Sequence, residues 1–374
     1  MTSESVIVTG IGLICALGSL KSSWQKLKQG QSGIQQLQPF SAFAPQPLAL
    51  IDSPTTDLSP LTSTVVTDVL KDANLTTPLP DCGVVIGSSR GYQAQWEKQA
   101  ERFDPNIGLF PDFLHHRVAL QVAAQIGATG PVLAPMAACA TGLWAIATAY
   151  ELIQTGQCQQ VIAGAVEAPI TPLTLAGFAR MGALATTGAY PFDSDREGFV
   201  LGEGGAVFIL ESAESVQRRV APVYGKILGL GFTADACFAN RPHLGGKSAI
   251  SAIGQALKRS DLSPDEIDYI HAHGTATRLN DQHEANLIQH LFPSTVAVSS
   301  TKGATGHTLG ASGALGIAFS LMALKHQILP PCVGLTGSEF PLNFVREARR
   351  AKVQNTLCFS FGFGGQNAVI ALGR

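Results

Sequence analysis

The chain has 374 residues, of which 45% are hydrophobic and 14% charged, and 39 are glycine. This balance excludes a disordered chain, and the length points to two or three structural units of about 150 residues each. A formal net charge of −2 offers no global basic field to nucleic acid or to an anionic membrane, so an acidic partner would need a local basic patch.

In chain order, residues 6–9 read as a short buried strand, and no basic segment with an apolar signal stretch precedes it. Gly10-Ile11-Gly12-Leu13-Ile14-Cys15 then imitates a dinucleotide fingerprint. Cys15 replaces its third glycine, and no acidic residue stands near the ribose position. A helix containing Trp24 and Leu27 ends near Gly30. Residues 38–60, rich in Pro, Ser and Thr, read as loop, 61–75 as helix and 83–87 as strand. The stretch 118–150 has no charged residue, yet Gln121, Gln125, Gly127, Gly130, Pro131 and Pro135 interrupt it. A spanning helix needs about 20 predominantly apolar residues. The stretch therefore reads as helix, turn, strand (132–135) and a second, apolar helix (140–156), followed by a strand at 161–165.

The second part repeats these features. Strands are expected at 223–230, 267–272 and 296–299, helices at 248–260 and 310–326, and a terminal hairpin at 356–361 and 368–372. Strands alternating with helices imply an α/β protein with covered sheets. Each half has one long, nearly uncharged helix, and a helix apolar all round must be buried on all sides. Two such helices suggest two similar halves, 1–218 and 219–374, around a shared central layer; a single doubly wound sheet is the alternative.

Seven cysteines stand at 15, 82, 139, 158, 237, 332 and 358, with no CxxC pair. That spacing argues against structural zinc, and the odd count points to reduced thiols in a cytoplasmic setting. Cys139 lies in Met136-Ala137-Ala138-Cys139-Ala140-Thr141-Gly142, between a strand and a helix. At a helix N-terminus the dipole and free N–H groups favour a thiolate. A buried, inert cysteine is the competing reading, and it is the one adopted for the other six.

His273 lies in His271-Ala272-His273-Gly274-Thr275-Ala276-Thr277, directly after a strand, where catalytic groups project in α/β folds. An HxH metal pair with Asp281, His283 or Glu284 is conceivable by residue type, but no third ligand has suggestive spacing. His307 lies in Ser299-Ser300-Thr301-Lys302-Gly303-Ala304-Thr305-Gly306-His307-Thr308-Leu309-Gly310. This stretch lacks the GK[ST] of a phosphate-binding loop. A lysine and a histidine at the mouth of an apolar core are costly unless paired, and Glu284 is the expected partner of Lys302. The tail Phe359-Ser360-Phe361-Gly362-Phe363-Gly364-Gly365-Gln366-Asn367 offers backbone N–H groups to an oxyanion, or serves only as a hairpin corner.

Taken in order, the cysteine elbow, HGTxT, STKGxxGHxxGAxG and FGFGGxN resemble the elongating 3-oxoacyl-acyl-carrier-protein synthases. The likeness runs from Val6 through Asp193-Ser194-Asp195-Arg196-Glu197-Gly198-Phe199-Val200-Leu201-Gly202-Glu203-Gly204 to Asn367. The resemblance implies a thiolase-like fold of two related halves in five α-β-α-β-α layers. It also implies a homodimer, an acyl-carrier-protein partner, and chemistry without metal or organic cofactor. It assigns the acyl group to Cys139, malonyl activation to His273 and His307, support of the histidines to Lys302 and Glu284, and the oxyanion hole to the N–H groups of Cys139 and Phe363. Thr275 and Thr277 would meet the phosphopantetheine arm or malonyl group. Initiating synthases use Cys-His-Asn, thiolases a second cysteine, and chain-length-factor relatives lack the active cysteine. A catalytically weak partner subunit of a true synthase is the alternative.

Three positions depart from the pattern. The connection 39–60 has no Lys or Arg where the family carries a basic helical segment for docking the carrier. Gly182 stands where arginine is frequent. Arg90, in Ile86-Gly87-Ser88-Ser89-Arg90-Gly91, stands where the family has a small or apolar residue gating the acyl tunnel. Arg90 either faces the tunnel or turns outward.

Overall fold

The computed structural model describes residues 5–52, 56–102, 114–243 and 245–374. The first four residues of the expected N-terminal segment and 53–55 of the expected loop lie outside it.

Long runs of apolar and β-branched residues bounded by glycines build the strands. The first set is β1 (Val6–Cys15), β2 (Gly83–Gly87), β3 (Val132–Leu133), β4 (Gln160–Glu167) and β5 (Gly204–Ser212). The second is β6 (Gly225–Ala234), β7 (Tyr269–His271), β8 (Ala297–Ser299), β9 (Asn355–Gly362) and β10 (Gln366–Gly373). Across the sheet the first set runs β3-β2-β4-β5-β1, parallel from β3 to β4 and antiparallel from β4 to β1. The second runs β8-β7-β9-β10-β6 with the same succession of directions. Each set thus has the order third, second, fourth, fifth, first, which is the duplication expected from the two apolar helices. Val6–Val8 pairs antiparallel with Gly225–Ile227, so the two sets share one twelve-stranded hydrogen-bonded sheet among the described residues.

Alternation along the strands separates the core into layers. Val84, Ile86, Ile162, Val207 and Ile209 pack outward with Val65 and Val69 of the Leu58–Asp72 helix. Their neighbours Val85, Ala163 and Phe208 face inward, onto the helices Thr141–Gln154 and Ser312–His326. From the other side Cys358, Ala368 and Ile370 close on the same two helices, while Leu357, Phe359 and Val369 face the outer helices Lys247–Ser260 and Arg278–Leu291. Helices outside, a helix pair in the middle and two sheet halves between them give the five α-β-α-β-α layers. The segment Leu309–His326 is long and apolar enough to cross a membrane, but 89% of it is buried in this central layer.

The central helices cross closely. A Cβ on Gly142 would lie 2.7 Å from the backbone N of Ala314, so only glycine permits this approach. The crossing brings the N-terminal ends of both helices, and the loops after β3 and β8 that feed them, to one place.

Some elements escaped the sequence reading. β1 runs ten residues and absorbs the fingerprint lookalike into extended backbone. The helix Arg278–Leu291 is rich in polar residues and shows weak apolar periodicity. β5 and the short helices Gln93–Arg102 and Pro172–Arg180 were likewise not anticipated.

Candidate active site

The backbone around Cys139 is braced before any substrate arrives. Ala138 has a φ of 48°, a left-handed conformation that non-glycine residues rarely adopt and that costs of order 1 kcal/mol or more. Thr141 holds this elbow: its hydroxyl accepts from the Ala137 N–H at 2.9 Å and donates to the Ala138 carbonyl at 2.6 Å. The Ser360 hydroxyl donates to the Cys139 carbonyl at 2.9 Å, tying the elbow to β9. A Cβ on Gly362 would stand 2.8 Å from the Ala137 oxygen and 3.2 Å from the Cys139 nitrogen, so the FGFGG turn needs glycine to close on the nucleophile. The Phe363 N–H is thereby directed at the Cys139 sulfur.

Cys139 keeps some surface on the floor of a cavity of about 390 Å³. Burial nevertheless pushes its thiol up to about 11, against the opposing pull of the Lys302 charge, the Phe363 N–H and Arg90. Burial thus works against the thiolate expected from the helix N-terminus. Five of the remaining cysteines are buried, but Cys237 is exposed and does not fit the expected structural role.

His273 follows β7. Its N–H and that of Gly274 donate to the two oxygens of Glu284 at 2.5 and 2.7 Å, and Asn280 donates to the same carboxylate at 3.3 Å. The Lys302 ammonium donates to the His273 carbonyl and stands 3.4 Å from His273 Nδ1. The expected contact between Lys302 and Glu284 is therefore not made; among the described residues no ion pair joins them, because each is taken up by the backbone of His273. Burial pushes Glu284 up to about 7 against its backbone hydrogen bonds, and lowers Lys302 against the attraction of Glu284.

His307 follows β8. Its N–H donates to the Val200 carbonyl at 2.6 Å, and its own carbonyl accepts from Gly202 N–H at 3.1 Å. Its Nδ1 lies 3.1 Å from the Ser312 hydroxyl. The two imidazoles meet edge to face, 5.4 Å between centroids, and Phe199 packs edge-on to His307 at 5.3 Å. Burial and the nearby Lys302 charge drive both histidines well below 6.5, so both are neutral at ordinary pH.

One cavity is lined by Cys139, His273, His307, Thr275, Thr277 and Phe363. Thr275 and Thr277 share a hydroxyl contact of 2.9 Å. Lys302 and Glu284 stand behind His273 and do not line the cavity. Arg90 does not line it either: its guanidinium sits 5.3 Å from the ring of Phe178, which does. The Arg90 N–H is fixed on Glu167, a fully buried carboxylate that also takes Ser88, Ser89 and the Gly310 N–H. Gly182 lines the cavity with open space about its Cα and a φ of 63°. His271 turns away from His273: its Nε2 lies 3.1 Å from the Thr301 hydroxyl and its buried Nδ1 has no partner. No group of three potential metal ligands forms among the described residues.

The sequence reading missed Ser312 and Ser360, although both lie inside motifs it quoted. It also missed Phe178 and the mouth residues Arg241 and Arg278, which no motif marks.

Comparison with known proteins agrees with this geometry. Residues 55–215 match the model of the beta-ketoacyl synthase N-terminal domain and residues 224–336 that of the C-terminal domain. The chain is 33% identical to a mitochondrial 3-oxoacyl-[acyl-carrier-protein] synthase of Arabidopsis thaliana, over 97% of this chain and 92% of the relative. A solved ketosynthase, described in complex with a type II PKS acyl-carrier protein and bound to a hexaketide, superimposes with a TM-score of 0.94 at 26% identity, covering 100% of both chains. A structure described as the ishigamide ketosynthase/chain length factor gives 0.91 at 26% identity, covering 100% of this chain and 99% of its own.

Proposed function

This chain belongs to the beta-ketoacyl synthase family, and on that premise we propose that it condenses an acyl group held on Cys139 with malonyl-acyl carrier protein, releasing CO₂ and 3-oxoacyl carrier protein. The observation that carries the reading is the convergence of a nucleophile, two neutral imidazoles and a backbone N–H in one cavity.

In the first half-reaction the Cys139 sulfur attacks the acyl thioester. The S–H proton leaves with the carrier's thiol, burial favouring the thiol over the thiolate before attack. In the second, the bond between the malonyl α-carbon and its carboxylate breaks and its electrons pass into the thioester enolate. Lys302 can only donate, so His273 Nδ1 accepts and the ring proton sits on Nε2, ready to donate to that enolate oxygen. His307 stands beside it as the second donor, its Nδ1 side held by Ser312. The carbanion attacks the acyl-Cys139 carbonyl; the N–H groups of Cys139 and Phe363 hold the oxyanion, and Cys139 is expelled as a thiolate that takes up a proton from solvent. Glu284 fixes the His273–Gly274 backbone rather than touching substrate. Thr275 and Thr277 meet the phosphopantetheine arm or malonyl group, and Arg90 backs the aromatic wall at Phe178 as the gate of the acyl tunnel.

In this reading residues 1–218 carry Cys139 and 219–374 carry the histidines and Lys302. A homodimer is proposed through β3, an edge of the sheet whose own Leu133 and the following Met136 are 40% and 59% exposed. A second subunit of the chain-length-factor kind is the alternative at that edge, given the paired structural relative. Seven free thiols suit a cytoplasmic or organelle-matrix enzyme. Malonyl decarboxylation by the isolated chain tests the function: turnover supports a synthase, and its absence in a folded preparation supports a non-catalytic partner subunit.

A further inference from the structure

A second cavity, of about 720 Å³, opens between the Leu20–Lys28 and Leu58–Asp72 helices and the C-terminal end of Ser312–His326. The active site lies at the N-terminal end of that last helix, so its 15 residues separate the two cavities by roughly 20 Å at about 1.5 Å per residue. The second cavity has a partly apolar floor, formed by Leu13, Trp24, Tyr224 and Met322. Four lysines stand around it: Lys21, Lys28, Lys71 and Lys325.

Lys28, Lys71 and Lys325 occupy last helical turns, where the helix dipole alone favours a cation. That accounts for each of them singly. It does not account for their convergence on one cavity, nor for Lys21, which sits in a first turn where the dipole disfavours it. The neighbouring acids offset the group only in part: four lysines face two carboxylates, Asp68 beside Lys71 and Asp72, which the Ile11 N–H at 2.8 Å and the Tyr224 hydroxyl at 3.0 Å hold in place. Among the described residues none of the four lysines forms an ion pair. Lys325 instead rests its ammonium 3.9 Å from the centre of the Tyr224 ring, and His326, stacked on Trp24 at 5.8 Å, faces the charges of Lys325 and Lys28.

We propose that this cavity binds a small phosphorylated organic molecule, its phosphates held by the lysines and its apolar or aromatic body lying on the Trp24–Tyr224–Met322 floor. The volume suits such a ligand, since small-molecule sites span roughly 300–1,000 Å³. The ligand does not enter the condensation reaction; it occupies the opposite end of the central helix from Cys139.

Calorimetric titration of the full chain with ADP, and separately with inorganic pyrophosphate, tests the proposal. ADP should bind with a Kd below about 1 mM, and pyrophosphate should bind more weakly because it lacks a body for the floor. The double variant Lys21→Ala/Lys325→Ala should lose about tenfold in ADP affinity or more, with condensation activity and Tm unchanged. Arg241→Ala/Arg278→Ala, at the mouth of the other cavity, should leave ADP affinity intact. Failure of ADP to bind the wild type, or binding unaffected by the lysine pair, would overturn the proposal. Loss of binding in the arginine pair would place the anion at the active-site mouth and equally overturn it. Equal affinity for both probes would remove the role of the apolar floor.

Discussion

Lys302 Nζ lies 3.4 Å from Nδ1 of His273 and also donates to the same residue's carbonyl. A buried cation thus fixes the backbone and the tautomer of one histidine, and reinforces the neutrality that burial imposes. Lys302→Ala should lower malonyl decarboxylation by about 10²-fold or more, the usual scale for losing organised electrostatic support. It should also shift the acidic limb of the rate profile upward, because the Lys302 charge that adds to burial in depressing His273 is gone. A variant that is slow but has an unshifted limb would reduce Lys302 to a packing role.

The two histidines and the nucleophile separate by step. His273→Ala and His307→Ala should abolish condensation while leaving Cys139 acylation measurable, since neither imidazole is assigned to the acyl transfer. Single-turnover loading followed by mass spectrometry checks this, and wild-type condensation by either variant would remove that histidine from the mechanism.

Gly362→Ala probes the oxyanion hole without touching a side chain. Its Cβ would press on Ala137 and Cys139 and displace the turn that aims the Phe363 N–H. Loss of one such donor costs about 10²–10³ in rate. The expected outcome is a fall of that order in condensation with iodoacetamide labelling of Cys139 retained; near-wild-type turnover would contradict the assignment of Phe363.

Much of this site was legible because the motifs are contiguous and each follows a strand. Cys139, His273, His307 and the FGFGG turn all sit in loops at strand ends, and the fold brings those ends together. The duplicated halves were signalled by the two nearly uncharged helices. What the sequence hid was competition between forces. A helix N-terminus suggested a thiolate at Cys139, but burial opposes it there. Charge type suggested that Lys302 pairs with Glu284, but the intervening backbone of His273 satisfies both. Arg90 reads as a gate or a surface group, and packing puts it behind Phe178, where neither periodicity nor spacing points.

Arg90→Ile should release the wall at Phe178 and raise the relative kcat/KM for longer acyl chains, without altering malonyl decarboxylation. An unchanged chain-length profile across a carrier series would show that Arg90 is no gate.

Stability should fall in mild acid through the buried histidines. Burial, reinforced by Lys302, lowers His271 to about 3, and His273 and His307 are likewise depressed. Each is neutral when folded and takes up a proton on unfolding below about 6.5, so its contribution is present above that pH and is lost as pH falls toward the folded value. The slope is about 1.4 kcal/mol per pH unit for each such histidine. Glu284, raised to about 7, acts in the opposite sense between there and its ordinary value. Comparing Tm of the wild type and His271→Asn from pH 7.5 to 5 cancels the carboxylates. The variant should lose less, and parallel curves would contradict a neutral buried His271.

The most direct test follows the isolated chain given acyl carrier protein and malonyl carrier protein, with peptide mass spectrometry of the enzyme and of the carrier product. The account predicts a single acyl adduct, on Cys139, that disappears as 3-oxoacyl carrier protein forms, and no product from Cys139→Ala. An adduct on another cysteine, or condensation that persists in Cys139→Ala, would contradict it.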